Sequence, residues 1–409
     1  MSHAQADTPV LSICLPTHNR ARYLDNLLKT LTDDVHALAF SYEILIGDNG
    51  STDHTPEVVA RYVGTGALNI RAYRNPRNIG PYENQRKLYN SARGKYCLYL
   101  ADDDLLLMEQ INENIRTLEN NPGVSAIYAP WVLYDRVRDE TSAAFYSLDQ
   151  DYLIQPNDHA ALMALVLTRH IFPEIYIARR ECFPLLYFAY NNYAYWAFVH
   201  SAEILSRGAI LFSAKPYYRA VSQYFDDDVR TQAGTEEVKV SWDRYRGGLE
   251  YLFNKFSGDL PLEQKTEWFD AINQFIRVRM NVALRIRTQE NTSPIDNYYI
   301  ANRLRALGNG QDLPTHYDFY RVNAALEYLN TLDPFVTGTT RFAYFRSQPL
   351  RILPLAQKFS ELAFTMLEDG QLPTEPTVIV TPHGAESGLP KHADHLVFTS
   401  ELELLSMFP

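Results

Sequence analysis

Cysteine is scarce. The chain has three in 409 residues, Cys14, Cys97 and Cys182, far apart and each in an apolar setting. No CxxC pair occurs, so nothing indicates zinc binding or dithiol redox chemistry, and the three read as buried thiols of a reducing compartment. Positive charge is also short. Lys and Arg number 38 against 49 Asp and Glu, a net charge of −11, which argues against electrostatic attraction to nucleic acid or to anionic membrane. Long apolar runs are missing. The longest helical one, Ala160 to Leu167, is far short of a membrane span. Met1 to Pro9 is polar and lacks the basic-then-apolar pattern of a signal peptide, so a cytoplasmic protein is expected. No GxGxxG follows the first apolar run and no GxxxxGK[ST] occurs, which weakens a dinucleotide-binding reading and leaves a P-loop unsupported. Repeats and low-complexity segments are absent as well.

What is present is ordinary in bulk and specific in detail. A hydrophobic content of 46% and a charged content of 21% fit a soluble globular protein. The length allows roughly two to three domains. Tyrosine is abundant, at 28 residues, which suits carbohydrate or interface stacking and equally a large core with amphipathic edges.

The first half alternates short apolar runs with helical periodicity. Strands are expected at Val10 to Leu15, Tyr42 to Ile46, Leu68 to Tyr73, Tyr96 to Leu100 and Val124 to Ala129. Helices are expected at Ala21 to Leu31, Pro56 to Tyr62, Tyr82 to Ala92 and Met108 to Glu119. That alternation is the signature of βαβ units and a mainly parallel sheet flanked by helices. Further on, His159 to Leu167 reads as a helix, Ile171 to Ala178 as a strand, Tyr193 to Leu205 as an amphipathic segment, and Ala209 to Ser213 as a last strand. From about Thr235 the periodicity turns helical, over Ser241 to Phe256, Leu262 to Arg287 and Asp318 to Leu332. Two short strand-like runs, Thr377 to Val380 and His395 to Thr399, flank a Gly/Pro/His loop near the end. The expected division is therefore an α/β domain over 1–230 and a mainly helical region over 231–409. The basic stripe Arg277, Arg279, Arg285 and Arg287 reads as a solvated or ion-paired face rather than an anion site.

Each of the first four expected strands ends in a polar loop: Pro16-Thr-His-Asn-Arg20, Gly47-Asp-Asn-Gly-Ser-Thr-Asp53, Arg74-Asn-Pro-Arg-Asn78-Ile-Gly80-Pro81, and Ala101-Asp-Asp-Asp104. Ligands of open α/β sheets bind beyond the carboxyl ends of the strands. Three consecutive carboxylates there repel one another unless a cation intervenes, and hard dications prefer oxygen ligands. The plainer alternatives are an Asp capping the helix near Leu107, Asn19 capping the helix after the first loop, and Asp48 in an Asx turn.

Taken together, these four loops resemble those of the family 2 glycosyltransferases of the GT-A fold. The resemblance covers about residues 9 to 130 well and extends loosely to 225. It implies a nucleotide-diphosphate sugar donor, a divalent metal (Mn²⁺ or Mg²⁺) and an inverting transfer to a hydroxyl of a glycan, a lipid-linked glycan or a protein, with a role in cell-surface polysaccharide synthesis. Carried over, Pro16 and Thr17, with Asn19 beside them, would line the nucleoside pocket. Asp48 would accept from the base, and Asn49 would flank it. Asn78, Gly80 and Arg86 would lie along the ribose and diphosphate. Asp102, Asp103 and Asp104 would form the metal motif, with the pair Asp102/Asp104 or Asp102/Asp103 holding ribose and metal.

Two departures from the family pattern matter. Asn49 stands where many members carry a second acid. Where members place the general base, at the start of a late helix, this chain reads Asn191-Asn192-Tyr193-Ala-Tyr195-Trp196, and Asn cannot take a proton. The nearest alternatives are Glu174, Glu181, Glu203, His170 and His200, of which Glu174 is preferred. The missing acid also admits a donor-binding, non-catalytic module whose helical region recruits a partner. A nucleotidyltransferase would want a Gly-rich, basic first loop, which is not present. Acceptor binding, peripheral membrane contact or homo-oligomer formation are the roles open to the C-terminal region.

Overall fold

The computed structural model describes residues 8–186, 190–228, 233–290, 292–308, 313–332, 341–356, 364–382 and 396–409. Most of the polar start, and the late Gly/Pro/His loop with His395, lie outside them. The chain divides into two compact units, Met1–Arg230 with Asp243–Ile272, and Thr231–Trp242 with Asn273–Pro409.

In the first unit the chain runs β1 (Leu11–Thr17), α1 (Ala21–Asp34), β2 (Tyr42–Asp48), α2 (Thr55–Thr65), β3 (Ile70–Arg74), α3 (Pro81–Ser91), β4 (Tyr96–Tyr99), β5 (Leu105–Leu106) and α4 (Met108–Asn120). It continues through β6 (Val124–Tyr128), β7 (Trp131–Asp135), β8 (Glu140–Ala144), β9 (Tyr152–Ile154), α5 (His159–Arg169), β10 (Tyr176–Arg179), α6 (Trp196–Leu205), β11 (Ala209–Phe212) and β12 (Tyr218–Gln223). The main sheet has eight strands in the order β3-β2-β1-β4-β10-β6-β11-β9. β1 is buried along nearly its whole length because it is covered on both faces, as its unbroken apolar run requires. α1 turns Leu24, Leu27, Leu28 and Leu31 to the core, each worth about 1.5–3 kcal/mol of apolar burial.

Two topological facts position the site. First, β1 pairs in parallel with β2 on one side and with β4 on the other, Thr17 opposite Asp48 and Cys14 opposite Tyr99. The chain winds outward from β1 to β3 and then returns to β4, so the gap between β1 and β4 is the switch point where ligands of such sheets bind. Second, β10 runs antiparallel between β4 and β6. The residues leading into an antiparallel strand lie at the carboxyl edge of its parallel neighbours. Ile177 pairs with Leu98 at the end of that ladder, so Glu174, just before β10, lies at the edge where β4 ends.

A second sheet, β5-β12-β7-β8, was not expected from the sequence. The charged stretch from Asp135 to Glu140 spans the turn of its β7–β8 hairpin. The segment expected to be amphipathic begins its helix only at Trp196 and is buried almost all round, from Ala197 to Ala202 and again at Ile204 and Leu205.

Past β12 come α7 (Ala233–Val238), α8 (Trp242–Asn254), α9 (Leu262–Gln289), α10 (Pro294–Leu307) and α11 (Tyr317–Leu332). The helical expectation holds there, with α10 an addition to it. Nearly all of α8 and the start of α9 belong to the first unit, and the second contains a four-stranded parallel sheet, β14-β13-β15-β16. Its strands and remaining helices are β13 (Arg341–Phe345), α12 (Leu353–Ala356), β14 (Phe364–Leu367), β15 (Thr377–Thr381), β16 (Leu396–Ser400) and α13 (Glu401–Met407). Two of these strands match the strand-like runs of the sequence. Val322, Leu326, Phe342, Val380 and Leu404 form the core of this unit. Of the basic stripe on α9, Arg287 is buried and bound to Asn297 (2.8 Å) and Asp296 (3.1 Å), an ion-paired role.

Candidate active site

The first two loops are stitched together. Asn19 takes a left-handed conformation (φ 54°) and accepts from the Thr52 amide at 2.7 Å, while its own amide donates to Ser51 Oγ at 2.9 Å. Asn19 therefore does not cap α1. The Ala21 amide donates instead to Asp53 Oδ2 (3.1 Å) and the Arg20 amide to Thr55 Oγ1 (3.1 Å), so the second loop caps the helix that follows the first. Asp48 is buried. Its Oδ1 accepts from the Ser51 amide (2.9 Å), as in the expected Asx turn, and its Oδ2 lies 3.3 Å from Arg74 Nε without a hydrogen bond of its own. A buried carboxylate oxygen with acceptor capacity left is what a nucleobase N–H would need.

The second and third loops are joined by amides. Asn49 donates to Asn78 Oδ1 (2.9 Å) and to the Gly80 carbonyl (3.1 Å), and accepts from Asn75 Nδ2 (3.1 Å) and the Ile79 amide (3.0 Å). Asn75 also donates to Asn84 Oδ1 (3.0 Å) and accepts from Lys87 Nζ (2.7 Å), and Asn84 donates to the Gly47 carbonyl (2.8 Å). Each amide uses its donors and acceptors in a way a carboxylate could not, which accounts for Asn at position 49. Asn78 and Gly80 are thus held beside Asp48. Arg86 is not brought to them; its partner is Glu83 on the same helix.

The three aspartates have distinct surroundings. Asp102 is buried and accepts from Thr17 Oγ1 at 2.7 Å across the switch point. Asp103 faces Arg20, with Nη1 3.4 Å from Oδ2. Asp104 Oδ1 accepts from the Val221 amide (2.8 Å) and Oδ2 from the Tyr218 hydroxyl (2.8 Å), tying the motif to β12. None of them caps α4, whose N-cap is Leu107. Burial, with the three carboxylates and Glu174 adding to it, raises the Tyr99 phenol far above its ordinary value. The same phenol therefore senses both the aspartate motif and Glu174.

At the start of α6 no acid appears. Asn191 Oδ1 accepts from the amides of Tyr193 (2.8 Å) and Ala194 (2.9 Å), closing the loop as an Asx turn. The Tyr195 amide donates to the Arg244 carbonyl (2.7 Å), a backbone bond that fastens α8 to this loop. A Cβ on Gly247 would meet the Tyr193 carbonyl oxygen at 1.9 Å, so α8 can approach this closely only with glycine there. Of the five alternatives, His200 and Glu203 are committed elsewhere. His200 is fully buried and contacts the Tyr176 hydroxyl (2.9 Å), and Glu203 binds Tyr251 (2.7 Å) and Lys255. Glu174 is half-buried and lies at the same sheet edge as the aspartates.

Sequence reasoning passed over Arg20 and Arg74. Arg20 closes the first polar loop and Arg74 ends β3, and each stands by a carboxylate of another loop or strand. The available signal was an Arg directly after each polar turn or strand, but the partner was not readable without the sheet order.

Among the described residues no group of three or more His, Cys, Asp or Glu side chains is arranged to hold a metal ion. Asp104 is tied to β12, and Asp102 and Asp103 bring carboxylate oxygens to the same corner. Two carboxylates fit a hard dication whose remaining ligands come from phosphate and water.

The α/β sheet thus gathers its polar loops, a buried aspartate with acceptor capacity and an aspartate motif at one switch point. Residues 12–177 match the model for glycosyl transferase family 2, so this part of the chain, which forms a mixed α/β sheet, is similar to a domain of that family. The abequosyltransferase RfbV of Salmonella typhimurium is 33% identical over 102 residues, 25% of this chain and 30% of that protein. The validoxylamine A glucosyltransferase of Streptomyces hygroscopicus subsp. jinggangensis is 44% identical over 62 residues, 15% of this chain and 14% of that protein. The chain thus spans less than half the length of these curated relatives. Among solved structures, the UDP complex of Staphylococcus aureus TarS 1-349 superposes with a TM-score of 0.42 at 15% identity, over 78% of this chain and 92% of that one. No helix among the described residues is long and apolar enough to cross a membrane.

Proposed function

We propose that the protein is a metal-dependent inverting glycosyltransferase, moving a sugar from a nucleoside-diphosphate donor to a hydroxyl of a glycan, a lipid-linked glycan or a protein. A cytoplasmic setting and a part in cell-surface polysaccharide synthesis belong to the same reading. The observation that carries it is the placement of Asp102 beside Thr17 and of Asp48 beside Asn49 and Asn78, all at one sheet edge.

In this reading Asp48 accepts from the base, and Pro16, Thr17 and Asn19 form the nucleoside wall. Asn78 and Gly80 border the ribose and diphosphate. Asp102 holds the ribose side, and Asp103 with Asp102 would hold Mn²⁺ or Mg²⁺. When bound, that ion supplies positive charge to the departing diphosphate. Asp104 acts as the anchor of the motif. Glu174 is the proposed general base, taking the proton of the acceptor hydroxyl as it attacks the anomeric carbon; its place just before β10, at the edge where β4 ends, supports this. The region 231–409 would serve acceptor binding or assembly.

The test is a transfer and hydrolysis screen against nucleotide sugars, with and without Mn²⁺. Full turnover in the double variant Asp102→Ala/Asp103→Ala would defeat the metal assignment. Glu174→Gln should lower kcat by about 10²-fold or more while leaving donor binding intact. The absence of an acid at Asn191–Trp196 favours one competing reading, a donor-binding module without turnover. Turnover with any acceptor would exclude it.

A further inference from the structure

We infer that Arg20 is a built-in cation of the donor site, paired with Asp103 before the donor binds and re-paired with the donor's diphosphate in the complex. This rests on the nucleotide-sugar reading above and assigns a residue which that reading leaves unused.

Asp103 of the motif faces a full positive charge, the Arg20 guanidinium, 3.4 Å from its Oδ2. Arg20 is not a loose surface side chain. It is 31% exposed, and its guanidinium carbon lies 5.1 Å from the centre of the Tyr23 ring. The backbone around it is fixed from two directions. Its amide is bound by Thr55, and the first turn of α1 is strapped down by the segment after β12. In that strap Tyr23 donates to Asp228 (2.7 Å), Arg22 pairs with Asp227 (2.9 Å), and the Arg22 guanidinium lies 3.7 Å from the Phe225 ring centre. Tyr23 also packs edge-on against Tyr224 at 5.5 Å. The strap continues from β12, the strand whose Val221 amide holds Asp104. The segment from Val221 to Asp228 thus holds Asp104 at one end and the first turn of α1, which follows Arg20, at the other.

An arginine presents five donors in a planar fork suited to phosphate oxygens, and an ion pair at 3.4 Å is loose enough to exchange partners. A nucleoside diphosphate brings more negative charge to this corner than Asp103 carries. Arg20 can therefore turn from the carboxylate to the diphosphate, which removes one competing cation from Asp103 and adds positive charge where the leaving group develops its own. On release of the nucleotide, Arg20 returns to Asp103.

Two effects of opposite sign follow for R20Q. Mn²⁺ alone, followed by the electron paramagnetic resonance of the free ion, should bind about two- to fivefold tighter, because a competing cation has gone. UDP and GDP, titrated calorimetrically in EDTA, should bind about tenfold weaker or worse in whichever case the wild type binds, because a charge-assisted contact is lost. R20K keeps the charge without the fork and should fall between, and it carries the test if R20Q does not fold by thermal unfolding. Unchanged diphosphate affinity in EDTA, or weaker Mn²⁺ binding, overturns the inference. A wild-type protein that binds neither nucleotide, with or without Mn²⁺, overturns the donor reading together with it. Wild-type binding matched by an identical variant overturns the Arg20 assignment alone.

Discussion

Thr17 Oγ1 donates to Asp102 Oδ2 at 2.7 Å, joining the end of β1 to the aspartate motif that follows β4. The two strands are neighbours at the point where the chain reverses its winding, so residues 85 positions apart meet at the sheet edge. Thr17→Val keeps the shape and removes the donor. A hydrogen bond to a charged group is worth about 1.5–3 kcal/mol, so kcat/KM for a donor substrate should fall roughly 10- to 100-fold. Thr17→Ser should retain most of the activity. Steady-state kinetics on the three proteins decide it.

Asp104 and Asp103 should separate by phenotype. Asp104→Ala strips the partner from the Val221 amide and the Tyr218 hydroxyl, both in the second sheet. Unfolding by denaturant should show a loss of about 2–4 kcal/mol. Asp103→Ala removes a partly exposed ion pair and should change stability by less than about 1 kcal/mol, while raising the Mn²⁺ concentration needed for half-maximal turnover. Equal destabilisation by the two would show that Asp104 is not the anchor.

Much of this was legible in the residues. Apolar runs ending in polar loops located β1, β2 and β4 and the loops after them, because strands covered on both faces leave few polar positions. The pairing choices were not legible. β10 lies antiparallel between β4 and β6, a decision made by contacts tens of residues away, and Glu174 reaches the site only because of it. The cap of α1 is similar. Asn19 had the right residue type and place, yet Asp53, 32 positions from Ala21, does the capping. β13 and β14 were missed because short runs such as Phe364–Leu367, with its half-exposed residues, carry little apolar signal.

Asn49→Asp tests the amide network that replaces the family's second acid. The aspartate would turn an oxygen toward Asn78 Oδ1 and the Gly80 carbonyl, where Nδ2 now donates. Two donor contacts become repulsions, and the cost should be about 2–4 kcal/mol at neutral pH. Donor affinity should drop with it, since Asn78 and Gly80 lose their tether. A variant as stable as the wild type would mean that the loops hold their form without Asn49.

His200 gives the stability of the protein a pH dependence of known sign. Its ring is enclosed by Tyr176, whose hydroxyl lies 2.9 Å from Nδ1, and by the rings of Tyr190 (5.2 Å) and Trp196 (5.1 Å). Burial, only partly offset by a hydrogen bond with the Leu186 backbone, lowers its pKa from 6.5 to about 3. Between those values the unfolded chain takes up a proton that the folded protein does not. The contribution of His200 is therefore complete above pH 6.5 and declines as the pH falls toward 3. The slope is about 1.4 kcal/mol per pH unit. Denaturant unfolding at pH 7.5 and about pH 5, a range in which most carboxylates stay ionised, should show a loss of roughly 2 kcal/mol from this group. His200→Gln cannot charge, so it should be less stable at neutral pH yet lose less on acidification. Parallel pH profiles for the two proteins would show that the imidazole is protonated in the folded state after all.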